Sequence, residues 1–273
     1  MLGRLFIWLC GLPSFKKRLW RAWYQYLAGS QRVSEWTFMN YGYAVPGAET
    51  LVLEEADQPD RHCIQLYDHV AAPVDLKQSA VLEVGSGRGG GSSFIKRYRK
   101  PARMTGADLS EKAVEFCRAR HHVDGLEFRV GDAENLPFSD GSFDAVLNVE
   151  SSHCYPSFEK FLSEVRRVLK PGGHFLYADF RDRATVEKWR EALRCSGLAV
   201  LRETEITSNV IAALERDNDR KLELIDRWIP RILRRSFLDF AAVRGSAIFE
   251  AFRSGTVVYL SFVLQKPRDP AAM

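Results

Sequence analysis

The 273-residue chain contains no apolar run long enough to cross a membrane, since a spanning helix needs about 20 such residues. Cysteine is sparse. Cys10, Cys63, Cys117, Cys154 and Cys195 are odd in number, widely scattered and never paired as C-x-x-C, which argues for reduced thiols and against a metal or redox motif. Charge of one sign is scarce too, because 39 Lys and Arg stand against 35 Asp and Glu. The resulting +4 is too small to indicate nucleic acid as a partner. His62, His69, His121 and His122 lack companions at ligand spacing, so no metal site is expected. The apolar stretch 5–12 is short, is preceded only by Arg4, and is followed by no nearby small-x-small cleavage pattern, so it does not read as a signal peptide. A cytoplasmic location follows as the expectation.

With 46% hydrophobic and 27% charged residues the chain has the composition of a folded globular protein. Its length suits one sizeable core with an attached cap. The N-terminus is basic and aromatic: Lys16, Lys17, Arg18 and Arg21 sit among Trp8, Trp20 and Trp23 before any acidic residue. Leu19, Trp20, Trp23, Tyr24 and Leu27 recur at helical spacing, predicting an amphipathic helix over 14–28. Its apolar face packs either on the protein's own core or, given the basic flank, against a membrane surface as a peripheral contact.

From residue 80 short apolar strands alternate with helices. Ala80–Val84, 104–108, Leu126–Val130, Phe143–Val149 and 174–179 read as strands; Glu111–Arg120, 158–169 and 185–195 read as helices. Such alternation builds a parallel sheet with helices on both faces. Further strands are expected at 198–206 and 257–264, separated by roughly fifty residues of helical pattern, far more than a hairpin needs. The expected organisation is therefore an N-terminal helical cap and linker (1–72), a core (73–206), a helical lid (207–254) and a last strand with tail (255–273).

Open α/β sheets bind ligands at the carboxyl ends of their strands. There the first strand runs into Gly85-Ser86-Gly87-Arg88-Gly89-Gly90-Gly91, where glycines permit a sharp turn and the next helix presents free N–H groups. Alone, Gly85-x-Gly87-x-x-Gly90 also fits a dinucleotide site, and Asp108, about twenty residues on, suits ribose hydroxyls in either case. The third strand, however, is followed by Gly131-Asp132-Ala133-Glu134-Asn135-Leu136-Pro137-Phe138, then by Ser142-Phe143-Asp144-Ala145-Val146 and Leu169-Lys170-Pro171-Gly172-Gly173. In this order, over residues 80–180, these segments resemble the class I S-adenosylmethionine-dependent methyltransferases.

That resemblance implies a doubly wound, Rossmann-like sheet of about seven strands with S-adenosyl-L-methionine as cofactor. Glu83, Gly85, Ser86 and Gly87 would form the cofactor loop, Asp108 with Leu109 would hold the ribose, Asp132 and Ala133 would read the adenine edge, and Asn148 would face the sulfonium. More narrowly, Phe15-Lys16-Lys17-Arg18-Leu19-Trp20-Arg21-Ala22-Trp23-Tyr24, Gly89-Gly90-Gly91-Ser92-Ser93 and Leu147-Asn148-Val149-Glu150-Ser151-Ser152-His153-Cys154-Tyr155-Pro156 resemble the phthiotriol/phenolphthiotriol dimycocerosates methyltransferases. That similarity implies O-methylation of a hydrophobic lipid or polyketide-type acceptor. His153, just past the fourth strand, is the expected general base, with an ordinary histidine titration, and Asp179 is expected to orient it, to bind substrate or to cap the next helix. Tyr41, Tyr43 and Glu150 are expected on the acceptor side. Two rivals stand beside this reading: C-methylation of a sterol, triterpene or other isoprenoid, where aromatic faces and carboxylates would stabilise a carbocation, and a catalytically inactive cofactor-binding partner subunit.

Overall fold

The computed structural model describes residues 36–45, 47, 51–229 and 234–268. The expected amphipathic helix over 14–28 lies outside them. The strands are β1 (Ala80–Val84), β2 (Arg103–Asp108), β3 (Leu126–Val130), β4 (Phe143–Val149), β5 (Leu169–Asp182), β6 (Ala199–Glu205) and β7 (Val257–Gln265). They form one sheet in the order β3-β2-β1-β4-β5-β7-β6. Strands β1 to β5 pair in parallel, whereas β7 runs antiparallel between β5 and β6.

Burial explains the order. Central β1 and β4 carry almost continuous apolar residues, as a strand covered on both faces must. Edge strand β6 exposes Val200 and Leu201. The helices are α1 (Arg61–Ala71), α2 (Gly90–Phe94), α3 (Glu111–Arg120), α4 (Phe158–Val168), α5 (Val186–Arg194), α6 (Thr207–Trp228), α7 (Arg234–Phe240) and α8 (Ala247–Arg253). Serines start three of them: the side chains of Ser110, Ser157 and Ser246 accept from the N–H of Ala113, Lys160 and Phe249 and so satisfy an otherwise orphaned donor.

Two apolar clusters sandwich the sheet. On one face Ile64, Leu66 and Val70 of α1 pack with Leu147, Leu176 and Tyr259. On the other, Phe161 and Val165 of α4 and Trp189 of α5 pack with Val146, Phe175 and Tyr177. Helix α1 is thus part of the central packing, although 1–72 reads in sequence as cap and linker. Helices α6 to α8 fill the stretch between β6 and β7. The extended segment 36–45 crosses the open end of the sheet, tied by Tyr43 N–H to the His62 carbonyl (2.9 Å) and Ala44 N–H to the Asn209 carbonyl (3.1 Å).

Candidate active site

The carboxyl ends of β1, β2, β3 and β4 open into one cavity of about 320 Å³. Its walls are the loop 84–88, residues 108–110 and 131–134, the turn after β4, Phe180 of β5, and 37–41 from the crossing segment. The parallel sheet makes this convergence unavoidable, because every βα turn of a parallel strand leaves on the same side.

The loop after β1 is shaped by close approach. Gly85 has φ +78°, and a Cβ there would overlap the Ser151 hydroxyl. Any side chain would be both strained and blocked. Asp108, buried at the end of β2, accepts from the N–H of Gly87 and of Ser110, each at 2.9 Å. Burial lifts its carboxyl to about 6 against those two hydrogen bonds. Ser86 Oγ is buried with no hydrogen-bond partner among the described residues, on a residue of the cavity wall. A buried hydroxyl without a partner costs free energy unless a ligand supplies one. The wall carries Asp108, Asp132, Glu134 and Glu150 against Arg88 and His153, and the Arg88 guanidinium stacks 3.8 Å from the Phe116 ring. An acid-rich wall suits a cationic sulfonium and disfavours a pyrophosphate, so the residues present fit S-adenosylmethionine better than a dinucleotide.

Across the cavity lies a histidine–carboxylate pair. A short helical turn, Ser152–Cys154, sets His153 so that Nδ1 lies 2.9 Å from Asp179 Oδ1, and its backbone N–H donates to Asp179 Oδ2 at 2.9 Å. Asp179 is fully buried, while His153 keeps 23% of its side chain exposed on the cavity wall. Burial opposes a charged imidazole, but the neighbouring Cys154 and the Asp179 carboxylate outweigh it and raise His153 to about 10. Burial also works against an ionised Asp179, yet Arg181 and His153 hold its carboxyl well below the usual range. Glu150, the next wall residue, has φ +51°, a left-handed conformation that costs a non-glycine residue about 1–2 kcal/mol. Its Oε2 accepts from Tyr41 N–H (2.9 Å) and Tyr259 OH (3.0 Å), and burial pushes its carboxyl up to about 8.

A family profile described as "Methyltransferase domain" matches residues 82–177. The chain is 40% identical over 256 residues, 94% of its own length and 95% of the relative's, to the phthiotriol/phenolphthiotriol dimycocerosates methyltransferase of Mycobacterium tuberculosis. The chain belongs to the class I S-adenosylmethionine-dependent methyltransferases, in that protein's family. It is also 42% identical over 246 residues to the fatty-acid O-methyltransferase of Mycolicibacterium smegmatis, covering 90% of this chain and 89% of that one. Among solved structures, the [4+2]-cyclase SpnF superposes with a TM-score of 0.69 at 21% identity, covering 93% of this chain and 97% of that one. A cyclase on the same scaffold shows that the fold alone does not specify methyl transfer; the sequence relatives carry that conclusion.

Within this family member, Gly85, Ser86, Gly87, Asp108, Leu109, Asp132 and Ala133 all line the cavity, as do Tyr41, Glu150 and His153. Asp179 stands behind His153 rather than on the wall. Three expected residues differ. Asn148 is fully buried and is not among the cavity-lining residues; its Nδ2 donates to the Val84 carbonyl (2.7 Å) and to Tyr155 OH (3.0 Å), bracing the loop after β1, while its Oδ1 is buried with no hydrogen-bond partner among the described residues. Tyr43 also stands off the wall, stacked on His69 at 4.5 Å. Glu83 lies beneath the loop, accepting from Tyr67 OH at 2.5 Å and from Ser92 Oγ. Thr37, Met39, Tyr155, Phe180 and Phe240 are among the further wall residues that the sequence did not single out. Tyr155 sits inside the quoted motif and was accessible to sequence reasoning; 37–39 carry no motif at all.

Glu83 gives a stability test. Burial raises its carboxyl to about 7 despite the hydrogen bonds from Ser92 and Tyr67, above the unfolded value of about 4.3. Between those two values the folded state holds more proton than the unfolded state, so this contribution to stability falls as pH rises. Glu83→Gln cannot ionise. Relative to the wild type it should gain about 2–3 kcal/mol between pH 4.5 and pH 8, measured by urea unfolding at both pH values. An identical difference at the two pH values would show that Glu83 stays ionised in its burial site.

Proposed function

We propose that this methyltransferase moves a methyl group from S-adenosylmethionine to a hydroxyl oxygen of a hydrophobic, lipid- or polyketide-type acceptor. The observation that carries the reading is the His153–Asp179 pair, 2.9 Å apart, on the wall of the cavity that also holds Asp108 and the glycine loop. S-adenosylmethionine, when bound, supplies an electrophilic methyl on a positively charged sulfur. Asp108 would accept from its ribose hydroxyls, Ser86 Oγ would gain a partner, and Asp132 with Ala133 would border the adenine. On the acceptor side Tyr41, Phe180 and Phe240 give an apolar wall that excludes water. His153 Nε2 would take the hydroxyl proton as the acceptor oxygen gained the methyl group and the sulfur lost it. Asp179 keeps the imidazole oriented through Nδ1–H and stabilises the imidazolium.

The relatives act, by their names, on a phthiotriol lipid and on a fatty acid. The two acceptors differ in what they require. A carboxylate arrives without a proton to lose and needs no base. An alcohol needs the base that His153 provides, so an alcohol fits better. Carbocation chemistry at an isoprenoid is the second reading, supported by the Tyr41–Phe180 ring contact (5.5 Å) beside Glu150. Incubating lipid extracts with the enzyme and a trideuteromethyl donor, followed by mass spectrometry of the products, separates these outcomes. A labelled methyl ether is expected. A label on carbon, or a labelled methyl ester as the sole product, would overturn the hydroxyl reading, and absence of turnover from any lipid would favour a non-catalytic partner subunit. Peripheral membrane contact through the basic, aromatic N-terminus belongs to the same proposal, since a lipid acceptor resides in or near a bilayer.

A further inference from the structure

Arg181 lies two residues beyond Asp179 on β5, so the two side chains leave the same face of the strand. Its guanidinium is largely buried, 4.8 Å from the Trp189 ring and 5.6 Å from the Phe158 ring. It donates to the Phe180 carbonyl (2.6 Å) and to Ser152 Oγ (2.8 Å), and stands 3.2 Å from Asp179 Oδ2. Ser152 Oγ in turn donates to Asp179 Oδ2 at 2.6 Å. The carboxylate is therefore divided: Oδ1 faces the imidazole of His153 and the Phe180 N–H, and Oδ2 faces the guanidinium, the serine and the His153 N–H. Arg181 does not line the cavity.

We infer that Arg181 is a positioning residue that sets the basicity of His153 by sharing the charge of Asp179. A buried carboxylate with only an imidazole beside it would hold the proton on that imidazole strongly. A second cation on the other oxygen weakens the hold and lets His153 release its proton at a lower pH. Beside His153 stand Cys154, Asp179 and Glu150, and the Phe180 ring lies 4.4 Å from the imidazole. Arg181 also keeps Asp179 ionised, so that Oδ1 accepts from the His153 Nδ1–H. The kinetic consequence rests on His153 being the base; the electrostatic one does not.

The test measures two things in the same proteins: the titration of the His153 imidazole, by nuclear magnetic resonance of ¹⁵N-histidine-labelled enzyme, and the pH dependence of turnover. Arg181→Gln should move the His153 midpoint upward by about one pH unit, and Arg181→Lys, which retains the charge, should stay close to wild type. The rate profile should shift with the midpoint, so that Arg181→Gln is slow at neutral pH and recovers in alkali. An unchanged or lowered midpoint in folded Arg181→Gln overturns the inference. A shifted midpoint with an unshifted rate profile upholds it and instead removes His153 as the base. Should Arg181→Gln not fold because Asp179 is left buried beside one cation, Asp179→Asn/Arg181→Gln, which removes both buried charges, is compared with Asp179→Asn. There the charge that Arg181 shares is absent, so the midpoint should move by much less than one pH unit, and a rise of a full unit, which would show direct action on the imidazole, overturns the inference.

Discussion

His153→Ala should lower kcat by about 10²–10⁴-fold and leave cofactor affinity nearly unchanged, as measured by steady-state kinetics and calorimetry. The expectation follows from position: His153 stands on the wall with its Nδ1 committed to Asp179, so that only Nε2 can serve an acceptor. His153→Gln, which retains a hydrogen bond but not the basicity, should be almost as slow. An ordinary histidine would titrate near 6.5, and the sequence alone suggests a rate rising through that region. The structure moves it. With His153 raised to about 10, the imidazole of the ligand-free protein is protonated below that value and has no lone pair on Nε2, so the rate should keep rising with pH well past neutrality. A cationic ligand in the same cavity disfavours a second positive charge and brings the midpoint down. The profile of the bound enzyme should therefore lie between the two values. A Gln variant that keeps most of the activity and the same pH dependence would reduce His153 to a pocket residue and leave the reaction to positioning.

The parts of this site that were legible in the sequence are those fixed by strand ends. A parallel sheet delivers the loop after β1, Asp108 after β2, Asp132 after β3 and His153 after β4 to one edge, whatever the details of packing. Less legible was anything that depends on which way a side chain turns at a strand end, because one residue's shift exchanges the faces of a strand. Asn148 shows this. It lies one residue before the end of β4 and turns to the Val84 carbonyl rather than to the cavity. Glu83 interrupts an apolar run, but its reason for being there is Tyr67 on α1, sixteen residues earlier and across a loop. Strand β5 outlasts its apolar pattern: it was expected to end at Asp179, yet antiparallel β7 pairs with it as far as Asp182, opposite Val257. That extra length places Arg181 behind the carboxylate.

The second large effect concerns the cofactor itself. Asp108→Ala should weaken S-adenosylmethionine by about 1.5–3 kcal/mol, the cost of removing a charged acceptor from buried hydrogen bonds, which corresponds to roughly 10–150-fold in Kd. Because Asp108 also holds the N–H groups of Gly87 and Ser110, alanine removes a loop brace together with a ligand contact. Asp108→Asn separates the two: it keeps one oxygen and the shape, and loses the charge. The pH dependence discriminates further. In the ligand-free protein the Asp108 carboxyl sits at about 6, so below that pH it is protonated and accepts more weakly, and wild-type affinity should fall as pH drops from 7 to 5. Asp108→Asn cannot titrate and should lose that slope while retaining an intermediate affinity at pH 7. Calorimetry at the two pH values for wild type, Asp108→Ala and Asp108→Asn decides the matter: equal affinity and equal pH dependence in all three folded proteins would place the ribose elsewhere in the cavity, with Asp108 serving only to fold the loop.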